Sequence, residues 1–207
     1  MALADWSKMV VMASLVAGCA LRLPPPEAVE LAPVPGVALP YKARVMIFAG
    51  QSDLDRNLVI QSSRYQTEET KVKDGRAVVA ATRALLAKGF QQVTVDDLSI
   101  RPHLIVKVMG KAQWARLDAK MKVGCSLDVW TADGMPLGNF GNRYDSPGAT
   151  DYTSELDAGY AQCLKVAVDG LLASPALARL AGTGFKEPSG PGVEAYLRSL
   201  GPIPAYH

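Results

Sequence analysis

The clearest pattern in the chain is a strict alternation from Lys120 to Thr131. Met121, Val123, Cys125, Leu127 and Val129 fall on one side of an extended segment, and Lys122, Gly124, Ser126, Asp128 and Trp130 on the other. A period of two is that of a strand with one buried face. Ala132-Asp133-Gly134-Met135 follows as a turn with the Asp-Gly pair that favours tight hairpins. Pro136 to Tyr144 reads as the returning strand, weak or at an edge because Pro136, Gly138 and Gly141 interrupt it. Upstream, His103 to Lys111 sets Leu104, Val106 and Val108 against Ile105, Lys107 and Met109, and Phe90 to Val95 alternates until Asp96-Asp97 ends it. Lys42 to Ala49 is a short apolar run consistent with a buried strand, and Asn57 to Gln66 is a further strand candidate before the polar stretch Thr67 to Lys73.

Two segments carry the helical period instead. Gly75 to Lys88 places Val78, Thr82, Leu85 and Leu86 on one stripe and stops at Gly89, which reads as a glycine cap. Thr153 to Leu172 repeats Leu156, Tyr160, Cys163, Leu164, Ala167 and Leu171, with Thr153 or Ser154 available as cap and Ser174-Pro175 closing it. A short helix over Pro175 to Ala181 follows. This order predicts an α+β fold: a mainly antiparallel sheet of about five strands with two main helices packed on one face. It occupies one domain, residues 41–181, long enough to bury its own core.

The flanks differ in kind. Met1 to Lys8 is polar with one cation, and Met9 to Ala17 is an apolar run closed by Gly18 and Cys19. Such a run is shorter than the roughly 20 residues a membrane-spanning helix needs, so residues 1–18 are expected to be a cleaved leader. Val16-Ala17-Gly18-Cys19 resembles the lipobox of bacterial lipoproteins. That resemblance implies a diacylglyceryl group on Cys19, which becomes the first residue of the mature chain, and the absence of Asp at Ala20 resembles an outer-membrane address. Residues 19–40 read as a tether, because Pro24, Pro25, Pro26, Pro33, Pro35 and Pro40 oppose helix and central strand. Fully extended it spans on the order of 60 Å. Its second half, where Val29, Leu31 and Val34 alternate, is equally compatible with a loop packed on the domain. Residues 182–207 combine a flexible Gly/Pro/Ser linker with a short amphipathic pattern at Val193, Tyr196, Leu197 and Leu200.

Composition narrows the function. Of 207 residues 49% are hydrophobic and the net charge is +2, without any polybasic block, which argues against nucleic-acid binding. Cys125 falls on the inward face of its strand and Cys163 on the apolar stripe of the second helix, so an exported chain is expected to join them in a disulfide; two buried free thiols are the alternative. The cysteines lack a CxxC partner and the only histidines are His103 and His207, so neither metal nor cofactor is expected. Catalysis is not expected either: Asp96-Asp97 are adjacent, Asp53 and Asp55 lie near turn signals, and the glycines from Gly134 to Gly148 lack phosphate-loop spacing. Binding is easier to motivate. The stretch 139–148 reads either as a recognition loop carrying Phe140, Arg143 and Tyr144 or as an ordinary hairpin edge with half-buried aromatics, and Trp130 sits on the face opposite Cys125.

Taken together, the VAGC lipobox, the Pro-rich tether, the apolar Val45-Met46-Ile47-Phe48, the helix ending Leu85-Leu86-Ala87-Lys88-Gly89-Phe90, the strand His103-Leu104-Ile105-Val106 and the strand ending Leu127-Asp128-Val129-Trp130-Thr131-Ala132-Asp133-Gly134 resemble the small proteobacterial periplasmic lipoproteins of the YajG type and those related to the curli-secretion lipoprotein domain. The resemblance covers roughly Cys19 to Leu180 and implies a non-enzymatic assembly, secretion or envelope-maintenance factor. The expected function is thus a lipoprotein on the periplasmic face of the outer membrane that binds another envelope protein. The alternative is a periplasmic hydrolase or ligand-binding protein using the 139–148 loop. A pocket joining His103 to a carboxylate and a nucleophile favours the enzyme; a shallow sheet face or exposed edge favours the adaptor.

Overall fold

A computed structural model of the protein describes residues 25–61, 69–97, 99–115, 117, 120–146 and 151–186. The leader and Cys19, Gln66, and the pattern around Val193 to Leu200 lie outside the described residues. Among the described residues seven strands and four α-helices follow one another as β1 (Tyr41–Phe48), α1 (Gln51–Leu54), β2 (Leu58–Ile60), β3 (Thr70–Val72), α2 (Asp74–Gly89), β4 (Phe90–Val95), β5 (Leu104–Ala115), β6 (Lys120–Thr131), β7 (Pro136–Asp145), α3 (Tyr152–Leu172) and α4 (Pro175–Gly182). The fold is α+β, and the main sheet has the expected five strands, in the order β4-β1-β5-β6-β7.

The sheet is mixed, which corrects the expectation of a mainly antiparallel one. β1 runs parallel to both β4 and β5, whereas β5, β6 and β7 are antiparallel neighbours. Alternation along a strand reports which face is buried and says nothing about direction. The direction of β4 follows from α2, which carries the chain back across the sheet before β4 begins. The runs Val45-Met46-Ile47 and Leu104-Ile105-Val106 do not alternate in burial: Met46 and Ile105 are 0% exposed on the face away from the helices, where they form a small second cluster with Ala132. Burial on both faces is what central strands with parallel neighbours require. The expected strand over Asn57 to Gln66 reduces to β2, which pairs with β3 in a separate two-stranded ribbon. β3 (Thr70–Val72) lies within the polar stretch Thr67 to Lys73, for which no element is expected.

Helices α2 and α3 pack side by side on one face of the sheet, α2 over β4 and β5, α3 over β6 and β7. Gly110 of β5 marks where both descend. A Cβ there would lie 2.8 Å from Val78 Cγ2 and 2.9 Å from the Tyr160 ring, so only glycine admits the two helices this close. Gly89 plays a related part in place of the expected cap. It is the last helical residue, Phe90 is already extended, and a Cβ on Gly89 would stand 2.8 Å from Leu172 Cδ2. The cap of α3 is likewise displaced: Asp151, not Thr153 or Ser154, accepts from the Thr153 N–H at 3.1 Å and from the Ser154 hydroxyl.

The helices are tied together by one buried carboxylate. Asp74, 4% exposed in the first turn of α2, accepts from the Tyr160 hydroxyl at 2.5 Å and pairs with Arg56 Nε at 2.6 Å. A second tie is covalent: Cys125 of β6 and Cys163 of α3 form a disulfide, their Cα atoms 6.0 Å apart. The second half of the Pro-rich segment lies against this helical layer. Val29 is buried, Lys88 Nζ donates to the carbonyls of Glu27 and Val29 at 2.6 Å each, and the Ala32 N–H donates to Asp169 at 2.8 Å. Beyond α4, Phe185 is buried against Tyr41 and His103.

Two measurements check these ties. Reducing the disulfide, which closes a separation of 38 residues, is expected to lower stability by about 4 kcal/mol in urea titrations with and without reductant. Tyr160→Phe is expected to cost about 2 kcal/mol at neutral pH. Burial, then the Asp74 charge, raises the Tyr160 phenol well above its ordinary value of 10.0. The unfolded phenol ionises near that value while the folded one keeps its proton, so this contribution is intact below it and is lost as pH rises beyond it. The alkaline fall in stability is therefore expected to be shallower in Tyr160→Phe.

Candidate partner-binding site

Register across the sheet decides which side chains share a face, and it separates the residues singled out for binding. Of the two readings of 139–148 the hairpin edge is the one that forms: through Asp145 the segment belongs to the edge strand β7; residues 147–150 lie outside the described ones. Phe140 stands opposite Leu127 and Tyr144 opposite Val123, both on the helix-facing side. Each is half-buried against the main core, and a Cβ on Gly170 would sit 3.4 Å from Phe140 Cδ1. The Tyr144 phenol is raised, first by burial and then by the charge of Glu155. Arg143 stands opposite Gly124 on the other face and is exposed. Trp130 lies on that same open face, half-buried between Ile105 and Pro136. The four residues therefore belong to two surfaces, and on the open face the Ser126 and Asp128 rows of the ladder separate Trp130 from Arg143.

His103 does line a recess with a hydroxyl and a carboxylate. About 310 Å³ in volume, it is bounded by His103, Thr131, Asp133, Met135, Leu180 and Phe185 among others. The groups in it are occupied by structure. The Thr131 hydroxyl donates to the Asp133 carboxylate and accepts from the Met135 N–H at 3.0 Å, closing the β6–β7 turn. His103 Nδ1 accepts from the Arg44 N–H at 3.1 Å, and its ring stacks on Phe185 with centroids 6.0 Å apart. That bond uses Nδ1 as an acceptor, so this nitrogen is committed to the fold. A nucleophile must present its proton to a base that a third group orients, whereas here the carboxylate holds the hydroxyl in the turn.

The carboxylates are also redistributed. Asp96, at a left-handed φ of 49°, accepts from the Ala49 N–H at 2.7 Å and so ties β4 to the end of β1. Asp97 instead caps its own turn, accepting from the Ser99 N–H at 3.0 Å. Asp53 comes near Asp96 from a different element; burial is the first cause raising the pKa of each, and Arg56 and Lys107 moderate the rise at Asp53. Asp55 is exposed and held low chiefly by its bond from Gln51. Among the described residues no group of three His, Cys, Asp or Glu side chains has the arrangement of a metal site, and no helix is long and apolar enough to cross a membrane.

Sequence reasoning missed two buried polar groups. Glu155, in the first turn of α3, is only 4% exposed, and among the described residues its Oε1 has no hydrogen-bond partner; Trp114, edge-on to Tyr152 at 4.9 Å, has a buried Nε1 in the same condition. An acid in a first turn reads as a solvated dipole partner, and only the four-residue step from Glu155 to the sheet-facing Gly159 hinted otherwise.

The division of faces is checked by stability. Phe140→Ala is expected to cost about 2 kcal/mol through lost packing on α3, whereas Arg143→Gln is expected to stay within about 0.5 kcal/mol of the parent in thermal and urea unfolding.

No family model matches the chain, and no curated protein is similar to it in sequence. Among solved structures, a crystal structure of a Xanthomonas campestris protein of family DUF330 overlays at a TM-score of 0.47 with 11% identity, covering 77% of this chain and 94% of that one. A PelC variant from Paraburkholderia phytofirmans, described as a dodecamer, overlays at 0.43 with 10% identity over 70% of this chain and 93% of its own. A second PelC dodecamer from the same organism gives 0.40 and 12% over 67% and 92%.

Proposed function

We propose that the chain is an envelope lipoprotein, held through Cys19 on the periplasmic face of the outer membrane, whose domain serves as a non-enzymatic adaptor or assembly factor for another envelope protein. The observation that carries this reading is the Cys125–Cys163 disulfide across the core. Disulfides of this buried, structural kind persist in oxidising compartments and are rare where thiols are kept reduced. Of the three cysteines that leaves Cys19, at the end of the apolar run, for a different chemistry. Acyl chains there, each stabilised by about 0.8 kcal/mol per buried CH₂, anchor the protein beside a bilayer.

The adaptor part is supported by the edge of the sheet. Among the described residues nothing pairs with the outer side of β7, and ten residues of open strand offer a partner's extended segment a row of N–H and C=O groups. The non-enzymatic part is supported by the His103 recess, whose hydroxyl and Nδ1 already serve the fold.

Fractionation of cells labelled with radioactive palmitate, with a photo-crosslinking amino acid at Asn139, tests both parts. The parent is expected to carry label, to sediment with the outer membrane and to crosslink from Asn139 to one defined envelope protein. Cys19→Ser is expected to lose the label and the sedimentation together. Equal labelling and fractionation of parent and variant defeats the anchor; crosslinks no different from those of a probe at exposed Val166 on α3 defeat the use of the edge.

A further inference from the structure

The open face of the sheet contains a groove that the adaptor reading does not use. Lys111 of β5, Gly124 of β6 and Arg143 of β7 form one row across three adjacent strands. With strands about 4.8 Å apart, the two cations rise on either side of the glycine from backbones about 10 Å apart. Between them lies a recess of about 190 Å³, bounded also by Met109, Ser126 and Asn142. Its floor is bare backbone.

Three features mark this recess as built for a ligand. A glycine in the interior of a central strand weakens it, and often marks a place where a ligand or another backbone approaches closely. Nothing in the fold requires glycine at 124: an added Cβ would meet no heavy atom nearer than 3.9 Å, the Lys111 carbonyl oxygen. This contrasts with Gly110, where the helices would collide. Second, among the described residues neither the Lys111 nor the Arg143 side chain has an ion-pair or hydrogen-bond partner, although carboxylates stand on the same face at Asp128, across from Lys107, and Asp145, across from Lys122. Third, Ser126 brings a hydroxyl to the recess from the next row.

We propose that this groove binds a phosphate group, held between the Lys111 ammonium and the Arg143 guanidinium over the backbone of Gly124, with the Ser126 hydroxyl as a third donor. Two cations on opposite walls suit a tetrahedral anion, which presents oxygens to both sides. A planar carboxylate satisfies the guanidinium fork and leaves the ammonium wall empty. The phosphate is either that of a phospholipid headgroup or that of a soluble phosphate ester. The proposal stands independently of the lipid anchor and of the β7 edge.

The test uses the full chain carrying Cys19→Ser, so that no acyl group contributes. Inorganic phosphate is titrated at constant ionic strength, with chloride as control, and the amide resonances of Gly124, Ser126 and Arg143 are followed. Saturable shifts specific to phosphate are expected; Lys111→Gln and Arg143→Gln are each expected to weaken binding at least about fivefold. Gly124→Val is expected to abolish it by filling the groove while leaving the melting temperature unchanged or raised, with Gly124→Ala as a gentler second variant. Vesicles of phosphatidylglycerol, set against phosphatidylcholine, identify the source. Competition by the former with free phosphate assigns a lipid headgroup, and phosphate binding without vesicle competition assigns a soluble ester. Shifts that do not saturate, that chloride reproduces, or that persist in Gly124→Val overturn the site.

Discussion

The domain depends on a carboxylate that water does not reach. Asp74 lies where the first turn of α2, the segment after α1 and the middle of α3 meet, and it holds Arg56 and the Tyr160 hydroxyl at once. A buried charge left without partners costs several kcal/mol, so the three groups stand or fall together. Their meeting sets the height of both helices above β5. That height is feasible only because Gly110 presents no side chain beneath Val78 and Tyr160. Polar bond and missing Cβ are two halves of one constraint.

From that constraint the division of labour between faces follows. One face of the sheet is fully committed to α2 and α3, and the disulfide fastens α3 to β6 on that side. Phe140 and Tyr144 are drawn into this packing, and so is the second half of the Pro-rich segment through Val29. What the helices do not cover is the outer edge of β7 and the open face with its Lys111–Gly124–Arg143 row, the two surfaces on which the proposed binding rests. A scaffold stiffened by a disulfide and an ion pair holds both surfaces in fixed positions.

Much of this is legible in the sequence. The bounds of β6, the existence of both long helices and the inward placement of Cys125 and Cys163 all follow from side-chain period, because burial on one face leaves a repeat in the sequence. The central strands left a signal too, in the unbroken apolar runs at Val45 to Phe48 and Leu104 to Val106, although its meaning, burial on both faces, emerges only with β1 seen between parallel neighbours. Other features left no readable trace. Gly89 looks like a cap and is a contact with Leu172, and Glu155 looks solvated and is buried.

What the sequence alone determined is local: which segments are extended or helical, which faces are apolar, and that a short apolar run ends in Cys19. Each depends on neighbours a few residues apart, and the period records them. Strand direction, the split of Phe140 and Tyr144 from Trp130 and Arg143, the commitment of Thr131 to its turn and the row Lys111–Gly124–Arg143 were decided by tertiary structure. They join residues that no period relates, because strand pairing brings distant segments together through a register that only the closed core selects.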